Sequence, residues 1–178
     1  MGCGKSSVGR RLSELLCCPF IDLDDAIIER EGRSIPDIFA TDGEAAFRQM
    51  ELEMLKDILS SGHHALILAL GGGAVMTPEC AQIVHEQTFC IYLRASIETL
   101  MEHLSGESDG RPMLENTSSA ERSTSLREAE RHDTPLYDRI AELMVLRSET
   151  YEKTVQVIID TDGKSIEAVA SEIQEIIK

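Results

Sequence analysis

Positive charge is scarce in this sequence. Its 178 residues include 17 lysines and arginines against 32 aspartates and glutamates, which gives a net charge of −15 at pH 7. Proteins that bind nucleic acid present a basic face to the phosphate backbone, so this balance argues against a nucleic-acid partner. If the substrates are anions, the few basic side chains must be concentrated at the site, because the rest of the protein repels such ligands.

Long apolar runs and a cysteine framework are missing as well. No apolar run approaches the roughly 20 residues that a membrane-spanning helix needs, and the start of the chain does not follow the pattern of a signal peptide. We therefore expect a cytoplasmic protein without a membrane partner. The five cysteines have no metal-ligand spacing, and in a reducing compartment we expect small, buried hydrophobic side chains.

Helical and strand patterns alternate from one end of the chain to the other. Strands are predicted at 19–22, 65–70, 88–93 and 155–160, and helices at 4–16, 24–31, 34–39, 43–59, 77–85, 96–104, 120–131, 135–148 and 165–177. The polar stretch 105–119 is expected to be a mobile loop. The alternation predicts one α/β domain over residues 1–178, with helices on both faces of a parallel sheet.

The first seven residues carry the back half of a phosphate-binding loop. Gly4-Lys5-Ser6 match the end of the pattern G-x-x-x-x-G-K-[ST], in which backbone N–H groups and the lysine hold phosphates and the hydroxyl ligates Mg²⁺. A chance match is the alternative, which the helical pattern after Ser6 disfavours. The first glycine, and the strand that feeds such a loop in mid-sheet, would fall before residue 1. We therefore expect a fragment, a misassigned start or a degenerate protein.

Two aspartates follow the strand predicted at 19–22. Residues i and i+2 of a strand face the same side, so Asp22 and Asp24 can both point into a cleft at the carboxyl edge of the sheet, where α/β sheets bind ligands. One carboxylate could hold Mg²⁺ through water near Ser6, and the other could accept a proton from a substrate hydroxyl. The alternative is that one aspartate only caps the following helix.

Arginines and glycines supply three further candidates. The i, i+3 spacing of Arg48 and Glu51 favours a solvated surface ion pair over a guanidinium locked for carboxylate recognition. The run 71–73, all glycine, follows a buried strand on the ligand side, where it would let a ligand approach the backbone; a tight turn is the alternative. Arg111 lies in the polar stretch 105–119 and could swing over bound phosphates, although most arginines in such loops do not.

Taken together, these motifs resemble one family, shikimate kinase. The matches run in order over nearly the whole chain: GCGKSSVGRRL, PFIDLD, GEAAFR with a glutamate three residues on, LGGGAV, RPML and a late R-x-x-x-Y ahead of the last strand. The resemblance implies a P-loop, nucleoside-monophosphate-kinase-like three-layer α/β/α fold with a central parallel sheet and a lid at about 105–119. It also implies transfer of the ATP γ-phosphate to the 3-hydroxyl of shikimate with Mg²⁺ as cofactor, ATP and shikimate as partners, and a monomer.

The resemblance implies a role for each matching residue. The catalytic residues would be Asp24 as the base, Lys5 and Arg111. ATP would be bound by Gly2, Cys3, Gly4, Lys5, Ser6, Ser7 and Arg111, and Mg²⁺ by Ser6 and, through water, Asp22. Shikimate would be bound by Asp24, Arg48 braced by Glu51, Gly71, Gly72, Gly73 and Arg147.

Two arginines compete to be the second ligand of the shikimate carboxylate. In the segment after Arg131, the position of the family's arginine is taken by Asp133. Arg147 keeps the four-residue spacing to Tyr151 and leads without a gap into the last predicted strand, so it is preferred.

The sequence also departs from the family. Residues 104–110 contain none of the arginines that often pack on adenine in the family, and Ala69 offers no side chain to the Mg²⁺ shell. Two alternatives therefore stay open: a kinase for another small carboxylated polyol such as gluconate, and a non-catalytic, kinase-like binding protein.

Overall fold

Helices and parallel strands alternate in the computed structural model, which describes residues 2–62, 64–105 and 135–178. The strands are β1 (Phe20–Asp22), β2 (Ile67–Ala69), β3 (Ile91–Arg94) and β4 (Val157–Asp160). The helices are α1 (Lys5–Leu16), α2 (Leu23–Glu31), α3 (Ile35–Thr41), α4 (Gly43–Ser60), α5 (Pro78–Gln87), α6 (Ile97–Ser105), α7 (Pro135–Thr154) and α8 (Ile166–Ile176). The helix predicted at 120–131 lies outside the described residues, as does the predicted loop after Ser105.

Local signals in the sequence fix several helix ends. The Ser34 hydroxyl accepts a hydrogen bond from the backbone N–H of Asp37 and so caps α3. Gly32 ends α2 in the left-handed conformation, with φ 65°. The largest difference is in α7, which ends at 154 instead of 148, because residues 149–154 contain neither glycine nor proline to stop it.

The strands pair in parallel, as the sequence predicts. β1 lies beside β2, with Phe20 opposite Ile67, and β3 lies beside β4, with Ile91 opposite Val157. Among the described residues these are two separate two-stranded sheets. The carboxyl ends of β1 and β2 lead directly into Asp24 and the triple glycine, so the fold brings these two motifs together.

Helices cover these strands with apolar side chains. On one side α1 packs against α8, with Val8 and Leu12 next to Val169 and Ile173. A second cluster, which joins α2, α3 and α4, includes Leu23, Ile27, Ile38 and Phe47. Each fully buried side chain of this size contributes about 1.5–3 kcal/mol relative to an exposed one. No helix in the described ranges is long and apolar enough to cross a membrane.

The cysteines are all free thiols, but the prediction that they are buried was wrong for most of them. Cys80 is fully buried, Cys17 is exposed, and Cys3, Cys18 and Cys90 are half-buried. Cys17 occupies the left-handed position that ends α1, with φ 52°, so its place at the helix terminus turns it outward.

Candidate active site

The phosphate-loop residues form the amino end of α1. Gly4 precedes the helix at φ 78° and Gly2 has φ 61°, a region of backbone conformation that favours glycine. The first N–H groups of a helix lack intrahelical partners and carry the positive end of its dipole, which suits an anion. Cys3 packs against the apolar cluster of Ala95, Leu100, Leu104 and Ile140.

Asp22 links the phosphate loop to α2. Its Oδ2 accepts a hydrogen bond of 2.5 Å from the Ser6 hydroxyl and lies 3.6 Å from Nζ of Lys5. Its Oδ1 accepts a 3.1 Å hydrogen bond from the backbone N–H of Asp24. Asp22 therefore caps α2, but capping is not its only contact, because the same carboxylate also bonds the loop. Adjacent hydroxyl and carboxylate oxygens are the hard ligands that Mg²⁺ prefers.

Asp24 lies in the first turn of α2, and the strand ends two residues before it. The strand periodicity that was expected to align the two aspartates therefore does not apply to Asp24. Its carboxylate still faces the site, because Oδ1 is 2.8 Å from where a Cβ on Gly71 would lie. Burial raises the pKa of Asp24, an effect that the Lys5 charge opposes. A carboxylate with a raised pKa is a stronger base than an exposed one.

Arg48 and Glu51 form a buried pair, so the prediction of a surface ion pair was wrong. Nη1 of Arg48 is 2.6 Å from Oε2 of Glu51, and the Glu51 side chain is 1% exposed. Nη2 of Arg48 is 2.9 Å from Oε1 of Glu44, whose side chain is 53% exposed. This face of α4 is buried because it packs against the triple-glycine segment, which the i, i+3 spacing alone does not reveal. Burial raises the pKa of Glu51, and the positive charge of Arg48 opposes this rise.

The triple glycine makes room for these charged side chains. A Cβ on Gly73 would overlap the guanidinium of Arg48. A Cβ on Gly71 would lie 3.0 Å from Oε1 of Glu51 as well as close to Asp24. The tight turn is present too, since the N–H of Ala74 donates to the carbonyl of Gly71 at 3.1 Å.

Helix α7 brings a second arginine to the same place. Arg147 is 7% exposed and lies one turn before Tyr151, and its positive charge opposes the rise that burial gives to the pKa of Tyr151 and of Glu51. The Tyr151 hydroxyl donates to the carbonyl oxygen of Gly72, and its ring centroid lies 5.0 Å from that of Tyr92. Tyr151 therefore joins the site, which the sequence did not predict; its four-residue spacing from Arg147 is the signal for it.

The described residues therefore assemble most of the predicted site. Lys5 and Ser6 contact Asp22, and Asp24 and Glu51 both approach Gly71. Arg48 lies against Gly73 and is bonded to Glu51, and Arg147 is close to Glu51. Ser7 is exposed on α1. Arg111 and the competing Arg131 lie outside the described residues, and within those residues no three His, Cys, Asp or Glu side chains form a metal cage.

Comparison with known proteins gives one consistent result. A family model described as shikimate kinase matches residues 1–178. A shikimate kinase of Thermus thermophilus is 38% identical over 175 residues, which are 98% of this chain and 84% of that protein. A shikimate kinase of Xanthomonas oryzae pv. oryzae is 39% identical over 143 residues, or 80% of this chain and 76% of that protein.

Solved structures agree with these relatives. A shikimate kinase from Acinetobacter baumannii in complex with shikimate has a TM-score of 0.85 and 28% identity, with coverage of 99% of this chain and 88% of that one. A shikimate kinase from Bacteroides thetaiotaomicron has a TM-score of 0.81 and 26% identity, with coverage of 99% and 93%. These neighbours confirm the predicted α/β fold of the P-loop, nucleoside-monophosphate-kinase-like type.

Proposed function

The chain belongs to the shikimate kinase family of ATP-dependent phosphotransferases that act on a hydroxyl group, and we propose that the acceptor is the 3-hydroxyl of shikimate. The observation that carries this proposal is the pair of largely buried arginines, Arg48 and Arg147, close to Glu51. Glu51 is buried and Glu44, the other acid bonded to Arg48, is 53% exposed, so the buried part of the cluster holds two cations and one anion, a net charge of +1 that a single carboxylate neutralises. Gluconate also carries a carboxylate, so charge alone does not choose between the two acceptors, and the family relationship favours shikimate.

The nucleotide end of the site is built by the start of α1. The helix terminus and Lys5 would hold the β- and γ-phosphates of ATP, since backbone N–H groups and an ammonium both bind phosphate. Asp22 orients Lys5, since its Oδ2 lies 3.6 Å from Nζ of Lys5. Arg111, which lies outside the described residues, stays a prediction as the third catalytic group.

Asp24 is proposed as the base. It would accept the proton of the shikimate hydroxyl as that oxygen attacks the γ-phosphorus, and its raised pKa favours this role. Its place beside Gly71 sets it against the segment that would contact the ring. Arg48 and Arg147 would hold the carboxylate at the opposite end of the same substrate and so orient the hydroxyl.

Mg²⁺ is proposed as the cofactor. Ser6 would be a direct ligand and Asp22 a ligand through water, and their oxygens are already 2.5 Å apart. A few protein oxygens suit this ion, which keeps several waters and takes the rest of its shell from phosphates. When bound, the ion neutralises negative charge on the phosphates. A monomer in the cytoplasm stays a prediction.

A coupled ADP-release assay with ATP, Mg²⁺ and either shikimate or gluconate tests the proposal. We expect turnover with shikimate and little with gluconate. Arg147→Ala should raise KM for shikimate far more than Arg131→Ala does. Arg139→Ala is a matched control on α7, because that arginine is paired with Glu142 and lies two turns before Arg147.

The same assay separates the alternatives. Faster turnover with gluconate would identify a different polyol kinase. A folded protein that binds shikimate but releases no ADP would be a non-catalytic relative. Equal effects of Arg131→Ala and Arg147→Ala would show that Arg147 is not the second ligand of the shikimate carboxylate.

A further inference from the structure

The last turn of α6 lies against the phosphate loop. Nδ1 of His103 is 2.5 Å from the carbonyl oxygen of Gly2. A Cβ on Gly2 would lie 3.2 Å from Cγ of Leu104 and 3.5 Å from the carbonyl oxygen of Leu100, so the loop backbone approaches this helix closely. Cys3 packs in the same apolar cluster as Leu100 and Leu104. Helix α6 therefore holds the loop at two consecutive residues, Gly2 and Cys3.

The hydrogen bond from His103 is the polar part of this contact. A carbonyl oxygen only accepts hydrogen bonds, so Nδ1 must carry a proton here. Both the neutral Nδ1–H tautomer and the imidazolium meet that condition. His103 is exposed on α6, so its ring contributes little to the core. The contact that distinguishes this side chain is therefore the one with the loop carbonyl.

Holding this carbonyl also orients an N–H group. The carbonyl of Gly2 and the N–H of Cys3 belong to one trans peptide unit, in which the two groups point in opposite directions. Because the carbonyl points to His103, the N–H of Cys3 points away from α6. Backbone N–H groups in a turn that leads into a helix are groups that bind phosphate. The bond from α6 therefore determines which way one such group faces.

The glycines of the loop make this restraint important. Gly2 has φ 61° and Gly4 has φ 78°, so Cys3 lies between two residues that lack a Cβ and reach both signs of φ easily. A loop that is mobile before its ligand arrives must lose that freedom on binding, which weakens the complex. A hydrogen bond that already fixes the Gly2 carbonyl reduces this loss.

We propose that His103 is a positioning residue for the phosphates of ATP, which acts through the carbonyl of Gly2 and orients the N–H of Cys3 towards the nucleotide. In this role the histidine does not touch the phosphates itself. The proposal rests on the proposed function, since it assumes that the loop binds phosphate, but it does not depend on the identity of the acceptor. The alternatives are an incidental surface hydrogen bond and a direct contact of the ring with the base or the ribose.

Three variants and the unchanged chain test this role. His103→Leu removes the donor, whereas His103→Asn keeps one, because the Nδ2 of asparagine reaches the place of the histidine Nδ1. His85→Leu is the matched control, since Nδ1 of His85 lies 3.1 Å from another backbone carbonyl, that of Thr154 at the end of α7. Isothermal titration calorimetry in the presence of Mg²⁺ gives Kd for ADP, for inorganic tripolyphosphate and for shikimate.

We expect His103→Leu to raise Kd for ADP and for tripolyphosphate by the same factor, about 3- to 10-fold, which corresponds to the loss of one hydrogen bond. Kd for shikimate should stay unchanged, because the contact lies at the nucleotide end of the site. His103→Asn should restore most of the affinity for both phosphate ligands. His85→Leu should leave all three Kd values unchanged, although it also loses one hydrogen bond to a carbonyl.

Other results would overturn the proposal. Unchanged Kd values in His103→Leu would make the hydrogen bond incidental. Weaker binding of ADP with unchanged binding of tripolyphosphate would mean that the ring contacts the base or the ribose. An asparagine variant as weak as the leucine variant would exclude the hydrogen bond as the cause, and equal losses for all three ligands would make the role of His103 merely structural.

The unchanged chain separates this proposal from the proposed function. If it binds ADP and tripolyphosphate but shows no turnover with shikimate, the proposed function fails while the role of His103 is still decided by the Kd values. If it binds neither phosphate ligand, both proposals are overturned.

Discussion

The two glutamates that hold Arg48 provide the sharpest test of the site. Glu51 is 1% exposed and 2.6 Å from one arm of the guanidinium, whereas Glu44 is 53% exposed and 2.9 Å from the other. The hydrogen bonds are similar in length, so burial is the main difference between the two pairs. Glu51→Gln and Glu44→Gln therefore form a matched comparison of a buried and an exposed charge on the same arginine.

The expected magnitudes differ several-fold. Glu51→Gln removes the desolvation that raises the Glu51 pKa, but unlike Asp24→Asn it leaves a partly buried arginine without its nearest acid. Removing one partner of a buried ion pair costs about 3–5 kcal/mol, and the lower end applies because of that relieved desolvation and because Arg48, at 17% exposure, keeps Glu44 and some access to water. At roughly 2–4 °C per kcal/mol for a chain of this size, Glu51→Gln should lower Tm by about 6–12 °C. Glu44→Gln should cost about 0–1 kcal/mol, which is at most about 4 °C.

Thermal unfolding at pH 7 measures both effects, and kinetics adds a second readout. A looser Arg48 should raise KM for shikimate by about 10- to 100-fold in Glu51→Gln, with a smaller effect on kcat. Similar Tm losses in the two variants would refute the argument that burial determines the strength of this pair. A destabilised Glu51→Gln with an unchanged KM would refute the role of Arg48 in substrate binding.

Three further changes have defined outcomes. Gly73→Ala should raise KM for shikimate with a smaller change in kcat, because the new methyl group displaces the guanidinium of Arg48; an unchanged KM would contradict this. Asp24→Asn should abolish ADP release and raise Tm at pH 7, because burial raises the pKa of the carboxyl and so disfavours its charged form in the folded protein; the gain should vanish near pH 4, where the unfolded aspartate also takes up its proton. Tyr151→Phe should lower kcat/KM through loss of the hydrogen bond to the Gly72 carbonyl, and a drop in Tm alone would make its role structural.

The sequence predicted the order and type of the elements well because each carries its own local signal. Ser34 and Gly32 mark helix ends, and the apolar run before Gly71 marks a strand. The burial of Glu51 could not be predicted in the same way. The i, i+3 spacing from Arg48 is the same for a surface pair and a buried one, and only the close approach of the triple glycine to α4 distinguishes them.

The role of Asp24 shows a different limit. Its distance from Gly71 depends on where β1 ends and α2 begins, a boundary that a strand pattern places only to within a few residues. The functional prediction did not depend on that boundary, because residues at the carboxyl end of a strand reach the same edge of the sheet in either conformation.

Acidic residues inside the site explain how a chain of net charge −15 can bind anions. Asp22 holds Lys5, and Glu51 holds Arg48 and lies near Arg147, so the acids next to the cations fix their positions. An ordered cation loses less conformational entropy when it binds an anion than a mobile cation does. This lower entropic cost offsets part of the attraction that is lost because the neighbouring acid cancels the charge of the cation. Because the acidic surface repels ATP and shikimate over longer distances, added salt should screen that repulsion and speed association while it affects the buried pairs much less.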